Sequence, residues 1–140
     1  MPDRMPLDAG DPLDLGRPLR VLVVDDDDDT RDMFQMLLTS LGWHVATAGS
    51  GAEALERFDP TEIDFILTDI GLPEMDGCAL LERLRERAHV YVPAIAVTGY
   101  GGEDAAARVR DAGFDGHLTK PFHLAALVEL LREIGAKRSK

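Results

Sequence analysis

The sequence predicts an α/β fold, a single parallel sheet covered by helices on both faces. Strand-like and helix-like patterns alternate five times between residues 19 and 135. Parallel strands require such crossover connections, which are right-handed. The strand runs are apolar throughout rather than alternating, as expected where both faces of a sheet are covered. Four of them also end in a residue of distinct chemistry. Val21-Leu22-Val23-Val24 runs into Asp25-Asp26, and Phe65-Ile66-Leu67-Thr68 stops at Asp69. Ala94-Ile95-Ala96-Val97 stops at Thr98, and Gly116-His117-Leu118-Thr119 stops at Lys120-Pro121. Strands that all point one way bring those ends to one edge, where open α/β sheets bind ligands.

Residues 1–18 hold Pro2, Pro6, Pro12 and Pro18 among aspartates with no periodicity, the composition of an extension outside the core. After the first strand, Met33, Phe34, Leu37, Leu38 and Leu41 recur at helical spacing and are expected in the core, with Gly42 as the stop. A weak strand is expected from Trp43 to Thr47. Ser50 and Glu53 match a capping box that opens a short helix through Ala54, Leu55 and Phe58. Asp69 leads through Gly71-Leu72-Pro73 into a helix carrying Leu80, Leu81 and Leu84. Thr98 is followed by Gly99, Gly101 and Gly102, then by an Ala-rich helix over 103–112 that Gly113 stops. The last helix is expected over 123–134, with Leu124, Leu127, Val128, Leu131 and Ile134 on one side. Residues 136–140 read as a short basic tail.

The formal net charge is −11, which disfavours nucleic acid and anionic membrane, since both are bound by Lys and Arg neutralising phosphates. Cys78 is the only cysteine, so an intrachain disulfide is excluded and nothing indicates an oxidising compartment. No apolar run reaches the length of a membrane span, and no apolar segment near the start resembles a secretory signal. A soluble, cytoplasmic protein is the expectation.

Asp25 to Asp29 form an unbroken acidic run. Alone, such a run is a solvated face; directly after a buried strand it acquires a second reading. A hard divalent cation such as Mg²⁺ takes one or two carboxylates, waters and a phosphate oxygen in a near-octahedral shell. Asp25, Asp26 and Asp69 can supply the carboxylates. Packed together without a cation they would repel one another, and a bound metal relieves this. A carboxylate placed like Asp69, between an apolar strand and a Gly-containing turn, can also act as nucleophile and form an acyl phosphate. Lys120 offers a positive charge to a phosphate oxygen and Thr98 a hydroxyl. Together these suit phosphoryl transfer.

The segments Val23-Val24-Asp25-Asp26-Asp27, Thr68-Asp69-Ile70-Gly71-Leu72-Pro73-Glu74-Met75-Asp76-Gly77, Val97-Thr98-Gly99-Tyr100 and Leu118-Thr119-Lys120-Pro121-Phe122 resemble the receiver domain of bacterial response regulators. The resemblance spans residues 19 to 135. The separations, 43 from Asp26 to Asp69, 29 to Thr98 and 22 to Lys120, match as well. It implies a doubly wound (βα)5 fold, flavodoxin-like, with strand order 2-1-3-4-5. It implies a phosphoacceptor rather than a turnover enzyme, with Asp69 taking the phosphoryl group from a histidine kinase or histidine phosphotransfer protein. Asp26, Asp69 and the backbone carbonyl of Gly71 would bind Mg²⁺, with Mn²⁺ as a substitute, and Asp25 would act directly or through water. Lys120 would contact the phosphoryl group through a loop with a cis Lys120–Pro121 bond. Thr98 would swing toward the phosphoryl, and the downstream target would be met on the face of the fourth helix, fifth strand and fifth helix. A monomer or weak homodimer is expected.

Two positions depart from the family pattern. His117 stands where most receivers carry the Tyr or Phe of the switch, and can be either a packing residue or a switch. Gly71, two residues after Asp69, carries no side chain to orient or block water, which leaves the phosphoryl lifetime open. Thr98-Gly99-Tyr100-Gly101 and Gly113-Phe114-Asp115-Gly116-His117-Leu118 are more similar to receivers of hybrid sensor kinases than to those fused to DNA-binding regulators. No output segment is recognised after residue 135, so output through another protein is expected.

Three other readings compete. Asp26, Asp28 and Thr30 satisfy the D-x-D-x-T pattern of haloacid-dehalogenase-like phosphatases, but that leaves Asp69 unused and sets Asp28 inside a helix. The aspartate spacing also imitates a calcium loop, yet Thr30 and Met36 stand where Gly and Glu are required. The third is a receiver-shaped interaction module that is never phosphorylated.

Overall fold

The computed structural model describes residues 17–88, 91–99 and 103–138. Most of the expected N-terminal extension, Gly101, Gly102 and the last two residues of the basic tail lie outside them.

The elements are β1 (Arg20–Val24), α1 (Asp28–Ser40), β2 (His44–Ala48), α2 (Gly51–Arg57) and β3 (Phe65–Asp69). They continue with α3 (Gly77–Arg87), β4 (Ala94–Thr98), α4 (Glu103–Asp111), β5 (Gly116–Thr119) and α5 (Leu124–Arg138). All pairings are parallel, in the order β2-β1-β3-β4-β5. The doubly wound α/β architecture follows from the sequence as expected, including the strand order.

The unbroken apolar runs are explained by alternation across two covered faces. Val21 and Val23 join Phe34, Leu38, Phe65, Leu67, Leu127 and Leu131, which places α1 and α5 on one side. Leu22 and Val24 join Leu55, Ile66, Leu80, Leu81, Leu84 and Val109, which places α2, α3 and α4 on the other. Leu38 and Leu80 are fully enclosed, and each such leucine contributes about 1.5–3 kcal/mol of burial.

Local signals set the ends of the helices. Asp27 caps α1 by accepting from the Thr30 amide, and Asp76 caps α3 by accepting from the Ala79 amide at 2.9 Å, each satisfying a donor that has no partner within the helix. Gly42 adopts φ 86° and ends α1; Gly113, at φ 97°, ends α4. The expected capping box on α2 is offset by one residue: Ser50 accepts from Glu53 N, but Glu53 reaches back to the Gly49 amide.

Some expectations are corrected. β2 starts one residue later than expected, because the Trp43 amide still donates to Leu38 O and closes the end of α1. Helix α4 ends one residue early and α5 continues to Arg138. Of the apolar residues assigned to the core of α1, Phe34 and Leu38 are buried, but Met33 and Leu37 are exposed, as is Met36. Successive helical residues are turned by about 100°, so the stripe facing the sheet holds only one row of that apolar set. The neighbouring row faces solvent.

Candidate phosphoryl-transfer site

Each strand end delivers its residue through backbone contacts that the fold dictates. The Asp25 amide still donates to Ala48 O at 3.1 Å, so the β1–β2 ladder holds Asp25 beyond the strand. Its side chain is buried, and its Oδ1 accepts from the Asp27 amide at 2.9 Å. Asp69 is the last residue of β3; its Oδ1 accepts from the Gly71 amide at 2.9 Å. The turn after it is closed by Gly77, whose amide donates to Ile70 O at 3.0 Å. A Cβ at Gly77 would lie 2.6 Å from Asp69 O and 2.7 Å from Ile70 Cα, so only glycine lets the start of α3 approach the Asp69 backbone.

Lys120 arrives from the end of β5. Its amide donates to Thr98 O at 2.8 Å, and the Lys120–Pro121 bond is cis. Its Nζ donates to Asp25 Oδ2 at 2.9 Å and to Asp69 Oδ2 at 3.3 Å. Burial of the ammonium works against its charge, but the bonds and proximity to Asp25 and then Asp69 outweigh it, and the Lys120 pKa is raised.

Carboxylate oxygens of Asp25, Asp26 and Asp69 lie within 4.8 Å of one another. Three hard oxygen donors gathered there are the kind of set a single Mg²⁺ takes, with waters completing the shell. Asp25 is buried, Asp69 half-buried and Asp26 exposed, so the group opens to solvent on the Asp26 side. Of the expected residues, Asp25, Asp26, Asp69 and Lys120 are thus brought together. Thr98 is buried at the end of β4, on the same edge. Gly71 is exposed beside Asp69. His117 sits three residues before Lys120, paired with Ala96; its Nε2 is buried with no hydrogen-bond partner among the described residues. Cys78 is half-buried, and burial followed by the nearby Asp76 raises its thiol pKa, which disfavours a reactive thiolate.

The family model for the response regulator receiver domain matches residues 21–132. The chain belongs to that family. Among curated relatives, this receiver is 38% identical over 117 residues to the transcriptional regulatory protein TrcR of Mycobacterium tuberculosis, covering 84% of this chain and 45% of that protein. It is 41% identical over 129 residues to the sensor kinase CckA of Brucella abortus, covering 89% of this chain and 13% of the kinase. The chain therefore spans less than half the length of either relative. Relatives of both the transcriptional and the sensor-kinase kind occur. A solved receiver domain from Clostridium thermocellum superposes with a TM-score of 0.77 at 26% identity, covering 86% of this chain and 97% of that one.

Two features of the receiver were not legible beforehand. Arg31 donates through one guanidinium nitrogen to the Asp25 carbonyl at 2.8 Å and pairs with Asp28 through the other. The only signal for it was a basic residue in the first turn of the helix after an acidic strand end. The second is a groove of about 280 Å³ lined by Thr30, Met33, Leu37, Lys120, Pro121 and Phe122, beside the acidic pocket. Its sole trace in the sequence was a surplus of apolar residues on α1.

Proposed function

We propose that this receiver accepts a phosphoryl group on Asp69 from a phosphohistidine of a two-component kinase or phosphotransfer protein. The observation that carries the reading is the convergence of the Asp25, Asp26 and Asp69 oxygens within 4.8 Å, with Lys120 Nζ bridging two of the three. An Asp69 carboxylate oxygen forms the new bond to phosphorus as the P–N bond to imidazole breaks, and the imidazole leaves with the electron pair and takes up a proton. Mg²⁺ held by Asp25, Asp26 and Asp69, with the Gly71 carbonyl completing the set, would neutralise charge on the transferring oxygens. Lys120 exchanges its carboxylate contacts for a phosphoryl oxygen. The Thr98 hydroxyl then turns toward the same group, a change that biases the α4–β5–α5 face between two arrangements and alters its affinity for a target protein.

The chain acts here as a phosphoacceptor in the cytoplasm rather than as a turnover enzyme. Asp28, which the phosphatase reading needs as an acid serving Asp26, is instead the solvent-exposed first residue of α1 and is paired with Arg31. A phosphodonor domain would reach Asp69 past α1, where the apolar groove shares Lys120 with the pocket and Met33, Met36 and Leu37 are exposed.

The test is labelling by acetyl phosphate or a phosphorylated kinase, followed by intact-mass measurement. Wild type is expected to gain one phosphoryl group only with Mg²⁺ (or Mn²⁺) present, and Asp69→Asn none. A protein that neither labels nor binds beryllium trifluoride with Mg²⁺ is the inert module instead.

A further inference from the structure

The three carboxylates are not held alike. Asp25 is fixed by the Asp27 amide and Lys120, and Asp69 by the Gly71 amide and Lys120. No hydrogen bond holds the carboxylate of Asp26 among the described residues, and this is also the exposed member of the set. Its direction is left to its backbone. The peptide plane that leads into Asp26 begins at the Asp25 carbonyl, and that carbonyl accepts from Arg31 at 2.8 Å.

We infer that Arg31 is a positioning residue for the cation site, holding the Asp25–Asp26 peptide so that the Asp26 carboxylate points at the ion. This rests on the Mg²⁺-dependent reading above. Arg31 reaches back from the first turn of α1, and its side chain is 22% exposed, so the contact is shielded rather than open to competing water. Its second nitrogen is engaged by Asp28, which holds the guanidinium fork at both ends. Gly49 leaves the space for it: a Cβ there would lie 2.9 Å from Arg31 Nη1. Residues that orient metal ligands from behind typically change metal affinity without touching the ion.

The charge of Arg31 makes the inference decisive to test, because its two possible effects have opposite signs. As a bystander cation near the pocket, Arg31 would repel Mg²⁺, and removing it would tighten binding. As a positioning residue, its loss loosens Asp26 and weakens binding. Arg31→Gln removes both charge and contact. Gly49→Ala keeps the charge and pushes only the flexible end of the side chain off the carbonyl.

The experiment is calorimetric titration of Mg²⁺ into the full chain, with amide exchange measured on the metal-free protein. Both variants are expected to raise the Mg²⁺ dissociation constant about tenfold and to speed exchange at the Asp27 amide. At saturating Mg²⁺ the labelling rate with acetyl phosphate should stay within about twofold of wild type, because the reacting groups are intact. Unchanged affinity in both variants overturns the proposal, even if exchange quickens, since Arg31 is then structural only. Tighter binding in Arg31→Gln overturns it as well, in favour of the bystander charge. Should Arg31→Gln fail to fold, Gly49→Ala alone decides. Failure of the wild type to bind Mg²⁺ refutes the underlying functional reading instead, which keeps the two failures distinct.

Discussion

Lys120 Nζ donates to Asp25 Oδ2 at 2.9 Å across 95 residues of chain. With its second contact to Asp69, it is the cation that holds the acidic pocket together in the absence of metal.

Lys120→Ala should therefore destabilise the metal-free protein by about 1–2 kcal/mol, leaving carboxylates uncompensated, or roughly 3–8 °C in midpoint. Mg²⁺ should then raise the variant's midpoint more than that of wild type, because the ion takes over the neutralisation. Thermal melts with EDTA and with Mg²⁺ measure both. The pKa of Lys120 is raised, so its contribution is complete below its ordinary value near 10.5 and is lost only as pH climbs through the folded value. Neutral pH is a fair condition for the comparison.

Gly77→Ala should damage both stability and site. Its Cβ would meet backbone atoms of Asp69 and Ile70, which cannot move aside as a side chain can. A loss of about 2 kcal/mol or more is expected from overpacking there, together with slower Asp69 labelling even when the variant is fully folded. Wild-type labelling by a folded Gly77→Ala protein would show that the close approach is irrelevant to the site.

At the opposite edge of the sheet, Asp64 accepts from Arg17 and from the side chain and amide of Arg20. Burial opposes its ionisation, but the two arginines prevail and bring its pKa down to about 2. A depressed carboxylate stabilises the fold above its ordinary value of 3.8 and loses that contribution as pH falls through about 2. Allowing for the exposure of Arg17, the effect amounts to about 1–2 kcal/mol. Denaturant titrations of wild type and Asp64→Asn should differ by this much at pH 6 and converge as the pH is lowered from 4 toward 2.

Leu37→Glu places a charge in the groove beside Lys120 without removing a buried contact, since Leu37 is exposed. Transfer from a phosphorylated kinase is expected to slow about tenfold or more, the loss of roughly 1.4 kcal/mol of docking, while labelling by acetyl phosphate is unchanged. Equal rates with both donors for wild type and variant would remove α1 from the docking face.

Much of this was legible in one dimension because it rests on local periodicity and a topological rule. Runs such as Val21–Val24 and Ala94–Val97 identify buried strands, their alternation with helices makes the sheet parallel, and parallel strands bring Asp25, Asp69, Thr98 and Lys120 to one edge. The sequence by itself thus determined the architecture and which residues gather at that edge. Tertiary structure alone decided which contacts those residues make. Whether Leu37 or Leu38 faces the sheet depends on how α1 docks, and a turn of about 100° separates burial from exposure. Likewise, the grip of Arg31 on the Asp25 carbonyl, the space Gly49 leaves for it, and the bridging by Lys120 depend on distances between segments that no spacing along the chain encodes.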